Sequence, residues 1–293
     1  MKNIIITGSS SGFGLLAAKT FADKGYKVFA TMRNPEGKNA STKAELEGHS
    51  ANITVVDMDV TNDASVQKAI GGIIATEGKV DVLINNAGIM YVGVTEAYSV
   101  EQAHEQMNTN YYGIIRVTQA VLPAMRKAGK GLIINTTSVA GRVSWPFFGT
   151  YNATKFAVEG YTQALKYEVA PSGVEVVLVE PGPFGTGLLD SIQAEARTEV
   201  LAEYTQLNEI KTAMITQFGQ FLSTPEAPQP QLVVDAYLNL AEMQHGTRPT
   251  RTVVGLDYGA VEMCERTQTL QDDVLKSLQL EFMLETKKET VAN

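Results

Sequence analysis

Apolar residues cluster in six short runs over the first two thirds of the chain, at residues 4–7, 27–31, 53–57, 80–85, 132–137 and 174–180. Within each run β-branched residues occupy consecutive positions, so the strand they predict must be covered on both faces. Between the runs the spacing becomes that of an amphipathic helix. Examples are Leu15, Leu16, Ala18, Phe21 and Ala22, then Val66, Ala69, Ile70, Ile73 and Ile74, and the long stretch 100–127. Strand and helix therefore alternate. That alternation calls for right-handed β-α-β crossovers and a doubly wound parallel sheet, with ligands beyond the carboxyl ends of its strands.

The pattern changes after Gly187. Residues 188–221 carry no strand signal and predict one or two helices, followed by the proline-rich stretch 223–230 and a last helix over 231–243. A strand at 252–255 completes the sheet at an edge, and the tail beyond Asp257 predicts a helix that frays. No repeat, low-complexity segment or long linker divides the 293 residues. Residues 1–293 therefore read as one domain, with 188–230 as a helical lid over the strand ends.

Charge narrows the partners. With 24 basic and 32 acidic residues and a net charge of −8, the molecule repels polyanions, so nucleic acid is not expected. No apolar run approaches the roughly 20 residues of a membrane helix, and the amino-terminal apolar run is too short for a signal peptide. One cysteine, Cys264, forms no internal disulfide and reads as a small apolar residue, so a cytoplasmic protein is expected. The three histidines lack metal-ligand spacing with carboxylates or Cys264, so no catalytic metal is expected.

Directly after the first run stands Thr7-Gly8-Ser9-Ser10-Ser11-Gly12-Phe13-Gly14, leading into an apolar helix. A pyrophosphate needs this arrangement: a tight turn, backbone without side chains in the way, and a helix amino terminus presenting N–H groups. The sheet is thus of the dinucleotide-binding Rossmann type, with about seven strands. A carboxylate ending the second strand would select a ribose 2′-hydroxyl; here the strand ends Thr31-Met32-Arg33. Arg33, helped by Ser11, favours a 2′-phosphate, hence NADP(H) over NAD(H). Such a contact is worth about 1.5–3 kcal/mol, or roughly 10- to 150-fold. The bland alternative is a solvated surface arginine. Asp59, ahead of Val60, is placed to accept from an adenine amino group. After the fourth run, Asn86-Ala87-Gly88 lets backbone pass close to a ligand while Asn85 and Asn86 tie strand ends together.

Tyr151 alone among the 11 tyrosines has a lysine four residues on, Lys155, which puts both on one helix face. The ammonium should favour the phenolate and lower the tyrosine pKa from about 10. Ser138, just past the fifth strand, can donate to a substrate oxygen, and the Asn110 amide could hold a water relaying protons from Lys155. Met90, Tyr91, Val139, Trp145, Phe147, Phe148 and Phe184 flank these motifs as candidate walls of an apolar pocket, although apolar residues are more often core.

These pieces together resemble the short-chain dehydrogenase/reductase family. The glycine turn, Asn85-Asn86-Ala87-Gly88, Asn110, Ser138, Tyr151-x-x-x-Lys155 and Pro181-Gly182 occur in family order and spacing over residues 1–187. The resemblance implies a catalytic tetrad of Asn110, Ser138, Tyr151 and Lys155, with Lys155 also holding the nicotinamide ribose. It implies that Pro181, Gly182, Phe184 and Thr186 contact the nicotinamide, and a homodimer or homotetramer packed through residues 100–127 and 151–170. Residues 28–34 look most like members acting on steroids, retinoids and other lipophilic alcohols with NADP(H).

Two other readings stand beside this one. Gly8-Ser9-Ser10-Ser11-Gly12 satisfies the G-x-S-x-G of hydrolase elbows, but no earlier strand supplies an oxyanion loop, and of His49, His104 and His245 only the last comes late enough. A non-catalytic NADP(H)-binding redox sensor would be expected to lack one of the four polar groups, and all four are present.

Overall fold

Seven strands run parallel in one sheet of the computed structural model, which describes residues 1–286 apart from the side chain of Asp190. They are β1 (Asn3–Thr7), β2 (Lys27–Met32), β3 (Ile53–Asp57), β4 (Val82–Asn85), β5 (Gly131–Thr136), β6 (Val174–Pro181) and β7 (Arg251–Val254). The order is β3-β2-β1-β4-β5-β6-β7, so the winding reverses between β1 and β4 and leaves a crevice at their carboxyl ends. The doubly wound sheet read from the sequence is the observed one, and residues 252–255 do lie at an edge.

Consecutive apolar residues are required because helices cover both faces. Ile4 and Ile6 face one layer with Phe21, Val234 and Tyr237; Ile5 faces the other with Ile70, Val121 and Ile133. Fully burying each such side chain is worth about 1.5–3 kcal/mol. The helices are α1 (Gly12–Asp23), α2 (Ala40–His49), α3 (Asp63–Glu77), α4 (Val100–Met107), α5 (Gly113–Ala128), α6 (Gly149–Val169), α7 (Thr198–Glu203), α8 (Thr205–Leu222), α9 (Gln231–Glu242) and α10 (Ala260–Ser277). The pattern did not single out α2, whose only buried residue is Leu46.

The long helix expected over 100–127 is broken. A capping box between Ser99 and Gln102 starts α4, and a π-helical turn, Asn108–Tyr112, separates it from α5. The wider turn admits an extra residue and aims Asn110 inward, as π-turns often do at functional sites. Residues 188–222 form a short turn, Leu189–Ser191, followed by α7 and α8. The frayed end expected of the tail lies outside the described residues. Among those described, no helix is long and apolar enough to cross a membrane.

Candidate active site

The glycine turn leaves β1 at the crevice. Gly8 and Gly12 have φ of +70° and +55°, a region that side chains resist. A Cβ on Gly14 would stand 2.4 Å from the Gly8 carbonyl oxygen, so the turn closes only because residue 14 has none. Ser9 N–H donates to the Thr31 carbonyl at 2.9 Å, which seats the turn against the end of β2, where the exposed Arg33 follows. Ser11 takes the N-cap position of α1 without a side-chain bond to the first turn, whose N–H groups stay available. Ser10 is half-buried and Ser11 exposed.

Across the crevice Asn86 donates to the carbonyls of Thr7 and Gly8, and the N–H groups of Asn86 and Ala87 both donate to Thr7 Oγ1. Asn85 bonds Asn135 and Thr118, so it ties strands as read from sequence. Gly88 faces Asn110, whose Oδ1 would lie 3.3 Å from a Cβ there. Asp59 spends Oδ1 on Thr61, beside the buried Val60. Thr186 lies across from Gly12, and Gly182 passes so close to Leu256 that a Cβ would be 2.2 Å from its carbonyl oxygen. Phe184 packs edge-on against Phe13 at 5.5 Å, in the core beside Gly255.

The four polar candidates converge at the ends of β4, β5 and β6, and all are buried. Ser138 accepts from the Ala140 N–H at 3.1 Å and donates toward the carbonyl of Pro181 at 3.3 Å. Lys155 Nζ lies 5.5 Å from the Tyr151 ring centroid and donates to the Thr136 carbonyl at 3.1 Å. Asn110 Nδ2 donates to Ile89 and Thr154, while its Oδ1 accepts from the Ile89 N–H. Both amide hydrogens are therefore committed within the protein, rather than to the water expected from sequence.

The electrostatics also depart from expectation. Burial raises Tyr151 to about 12, against a smaller opposing pull from the Ser138 hydroxyl. Burial lowers Lys155 to about 8, opposed by the Glu159 carboxylate one helical turn away. The reason is desolvation: in a closed pocket both charged forms lose water, and the lysine amine turns to Thr136. Below this pair sits a buried ionic cluster. Arg251 lies 3.1 Å from Glu159 and 3.3 Å from Glu180, and the half-buried Cys264 donates to Glu180 at 3.2 Å. Burial, then the neighbouring Glu180, pushes the Cys264 thiol up to about 12, which disfavours its thiolate, and its bond to Glu180 makes it more than the plain apolar residue expected.

His245 bonds the Gly173 carbonyl just before β6, at the amino end of the sheet. Ser10 stands at the carboxyl end, which removes the hydrolase arrangement. Among the described residues no cluster of three or more histidine, cysteine or acidic side chains is set to hold a metal.

An apolar cavity of about 330 Å³ opens beside these groups, lined by Val92, Trp145, Phe148, Met214, Phe218 and Tyr258 among others. Phe148 of the lining packs against the Tyr151 ring, with centroids 6.4 Å apart. Of the expected wall residues, Trp145 and Phe148 line it. Tyr91, Val139 and Phe184 are buried core, while Met90 and Phe147 pack in the cluster around the cavity. The α8 residues and Tyr258 escaped notice because nothing local marks them. Phe147 and Tyr258 hold φ of +70° and +49°, rare for aromatic residues and often found at functional sites.

Residues 2–197 match the family model described as short chain dehydrogenase. The chain belongs to the short-chain dehydrogenase family. A 3-ketodihydrosphingosine reductase of Bacteroides thetaiotaomicron is 45% identical over 191 residues, a match spanning 64% of this chain and 66% of that protein. Among solved structures, a short-chain dehydrogenase from Streptomyces avermitilis aligns over 95% of this chain and 96% of its own with a TM-score of 0.74 at 28% identity. An actinorhodin polyketide ketoreductase solved with NADPH aligns over 88% and 97%, with a TM-score of 0.72 at 27% identity. The family match ends before α7, so the dehydrogenase framework is shared and α8, with its part of the cavity wall, lies beyond it.

Proposed function

We propose that this dehydrogenase moves a hydride between NADP(H) and the carbonyl or alcohol carbon of a lipophilic substrate, with Tyr151 as general acid and base. The observation that carries the reading is Tyr151, buried as Ser138 is and packed against the cavity-lining Phe148, with Lys155 Nζ 5.5 Å from its ring. The polyketide ketoreductase solved with NADPH and the ketodihydrosphingosine reductase support the cofactor and the lipophilic substrate respectively.

The residues present fit a dinucleotide. Gly8, Gly12 and Gly14 leave a bare backbone cradle at the free end of α1. In this reading Ser10, Ser11, Phe13 and Arg33 flank the phosphates, Asp59 and Val60 the adenine, and Asn86, Ala87 and Gly88 the middle of the crevice. Pro181, Gly182, Phe184 and Thr186 flank the nicotinamide, with Tyr151 and Lys155 beside the adjoining ribose. Once bound, the reduced nicotinamide supplies the hydride and the oxidised form accepts it.

In reduction Ser138 donates a hydrogen bond to the substrate oxygen and Tyr151 gives it a proton. A phenol with a pKa of about 12 stays protonated at neutral pH and is ready for that step. In oxidation the proton travels back, and the Lys155 ammonium stabilises the phenolate. Asn110 holds Ile89 and Thr154 and so fixes the floor of the site.

Residues 1–293 are read as one domain with 188–230 as the substrate lid. The half-exposed Tyr112 and Phe156, on faces read as subunit contacts, support a homodimer or homotetramer. A single cysteine suits the reducing cytoplasm. The test is loss of NADPH absorbance with aromatic ketones, steroids and retinal. Turnover with none of them, at saturating cofactor, refutes the proposal.

A further inference from the structure

Among the eighteen residues of α8, the one buried side chain is a charged one, Lys211. Its Nζ lies 2.7 Å from Oε1 of the buried Glu195. The same oxygen accepts from the Val94 N–H at 3.0 Å. Gly93 leaves room for it, since a Cβ there would stand 2.4 Å from Oε1. Residue 195 is itself pinned, because Gln102 donates to the Ala194 carbonyl and accepts from the Ala196 N–H. Among the described residues, the other side-chain hydrogen bonds that α8 donates, from Thr205, Thr212 and Thr216, all end on carbonyls within residues 202–212.

The segments that carry the pair also supply cavity walls. Val92 precedes Gly93, Ile192 lies three residues before Glu195, and Met214 lies three after Lys211, and all three line the cavity. A buried ion pair seldom stabilises more than apolar residues of similar volume would, but it accepts only one geometry, and its best-attested use is to fix register. An apolar side chain at 211 would let α8 slide; the lysine does not.

We propose that Glu195 and Lys211 form a specificity latch that holds α8 in one register, so that the cavity fits a bulky apolar substrate. The proposal rests on the reading that the cavity takes the substrate. Glu195 and Lys211 act through Met214, Ile215 and Phe218 and are positioning residues.

Trp145, the only tryptophan of the chain, lines the cavity and reports on the latch without turnover. Lys211→Met should raise acrylamide quenching of Trp145 about threefold, and Glu195→Gln less, because the neutral amide still accepts from Val94. With a bulky apolar ketone KM should rise about tenfold while kcat holds. For a small carbonyl compound the rise should be slight, since that substrate does not reach α8. If Lys211→Met does not fold, the double variant Glu195→Gln/Lys211→Met, which buries no lone charge, takes its place. Unchanged quenching in a folded variant overturns the latch, and so does an equal KM rise for both substrates. Absence of turnover in the wild type sinks the hydride-transfer reading instead, and the quenching then decides the latch alone.

Discussion

Around the ends of β1 and β4 the chain is fixed mainly through backbone: glycines that leave no space for a Cβ, and N–H groups and carbonyls bonded by Thr7 and Asn86. Over the cavity α8 is held otherwise, by half-buried apolar side chains and the Glu195–Lys211 pair. A backbone cradle tolerates few substitutions and serves one constant ligand. A helix resting on side chains can change residue by residue, which suits the part of an enzyme that selects substrates. The two regions should therefore fail differently when altered.

The largest effect is expected where they meet. Tyr151→Phe removes the proposed proton donor but keeps the ring against Phe148, so kcat for reduction should fall about 10²- to 10⁴-fold. NADPH affinity, followed by cofactor fluorescence, should change little. Retention of near wild-type turnover would move the acid elsewhere and dissolve the division between cradle and cavity.

Next comes the adenosine end of the cradle. Arg33 is exposed and has no ion-pair partner among the described residues, so its guanidinium is available to a 2′-phosphate. Arg33→Asp should shift the NADPH to NADH ratio of kcat/KM by roughly 10- to 150-fold toward NADH. The ratio should move equally for large and small carbonyl substrates. An unmoved ratio would mean a solvated surface arginine.

How much of this was legible in the sequence follows the same division. Gly8, Gly12, Gly14, Ser138, Tyr151 and Lys155 stand out because their chemistry demands fixed local spacing next to recognisable strands. The sheet was legible because Ile4, Ile5 and Ile6 must be covered on two sides. The π-turn at Asn110 was not, since its residues continue the helical spacing, while the Asn110 side chain is held by the distant Ile89 and Thr154. The raised Tyr151 and lowered Lys155 were missed for a related reason. Charge proximity can be read from an i, i+4 spacing, but burial depends on the whole fold, and here burial wins. The cavity wall joins residues near 92, 145, 192, 215 and 258, a set that no local pattern marks.

A pH profile sharpens the comparison further. In the proposed mechanism reduction needs Tyr151 protonated and Lys155 charged. With the phenol at about 12, the lysine at about 8 is the member of this pair that titrates within reach, and burial also raises the Glu180 carboxyl in the cluster below to about 8. Because burial lowers the lysine, its charge is lost as pH rises, so kcat/KM should be level below about pH 8 and fall toward tenfold per unit above it. Lys155→Arg, always charged, should lose that limb whatever activity remains. A limb that persists in the arginine variant belongs to another group.

The smallest effect is expected at the lid. Phe218 is half-buried in α8, and its ring forms part of the cavity wall, so Phe218→Ala removes contact surface without touching Ser138, Tyr151 or Lys155. Losing about 1 kcal/mol of apolar contact should raise KM for a bulky substrate roughly fivefold, with cofactor affinity and the alkaline limb unmoved. A small carbonyl compound bound beside Tyr151 makes no contact with residue 218, so its KM should hold. If both substrates weaken together, α8 supports the whole site rather than its outer wall, and cradle and lid are one mechanical unit. If only the bulky one weakens, selection and catalysis are carried by separate residues, and the lid can be altered for a new substrate without loss of the chemistry beneath it.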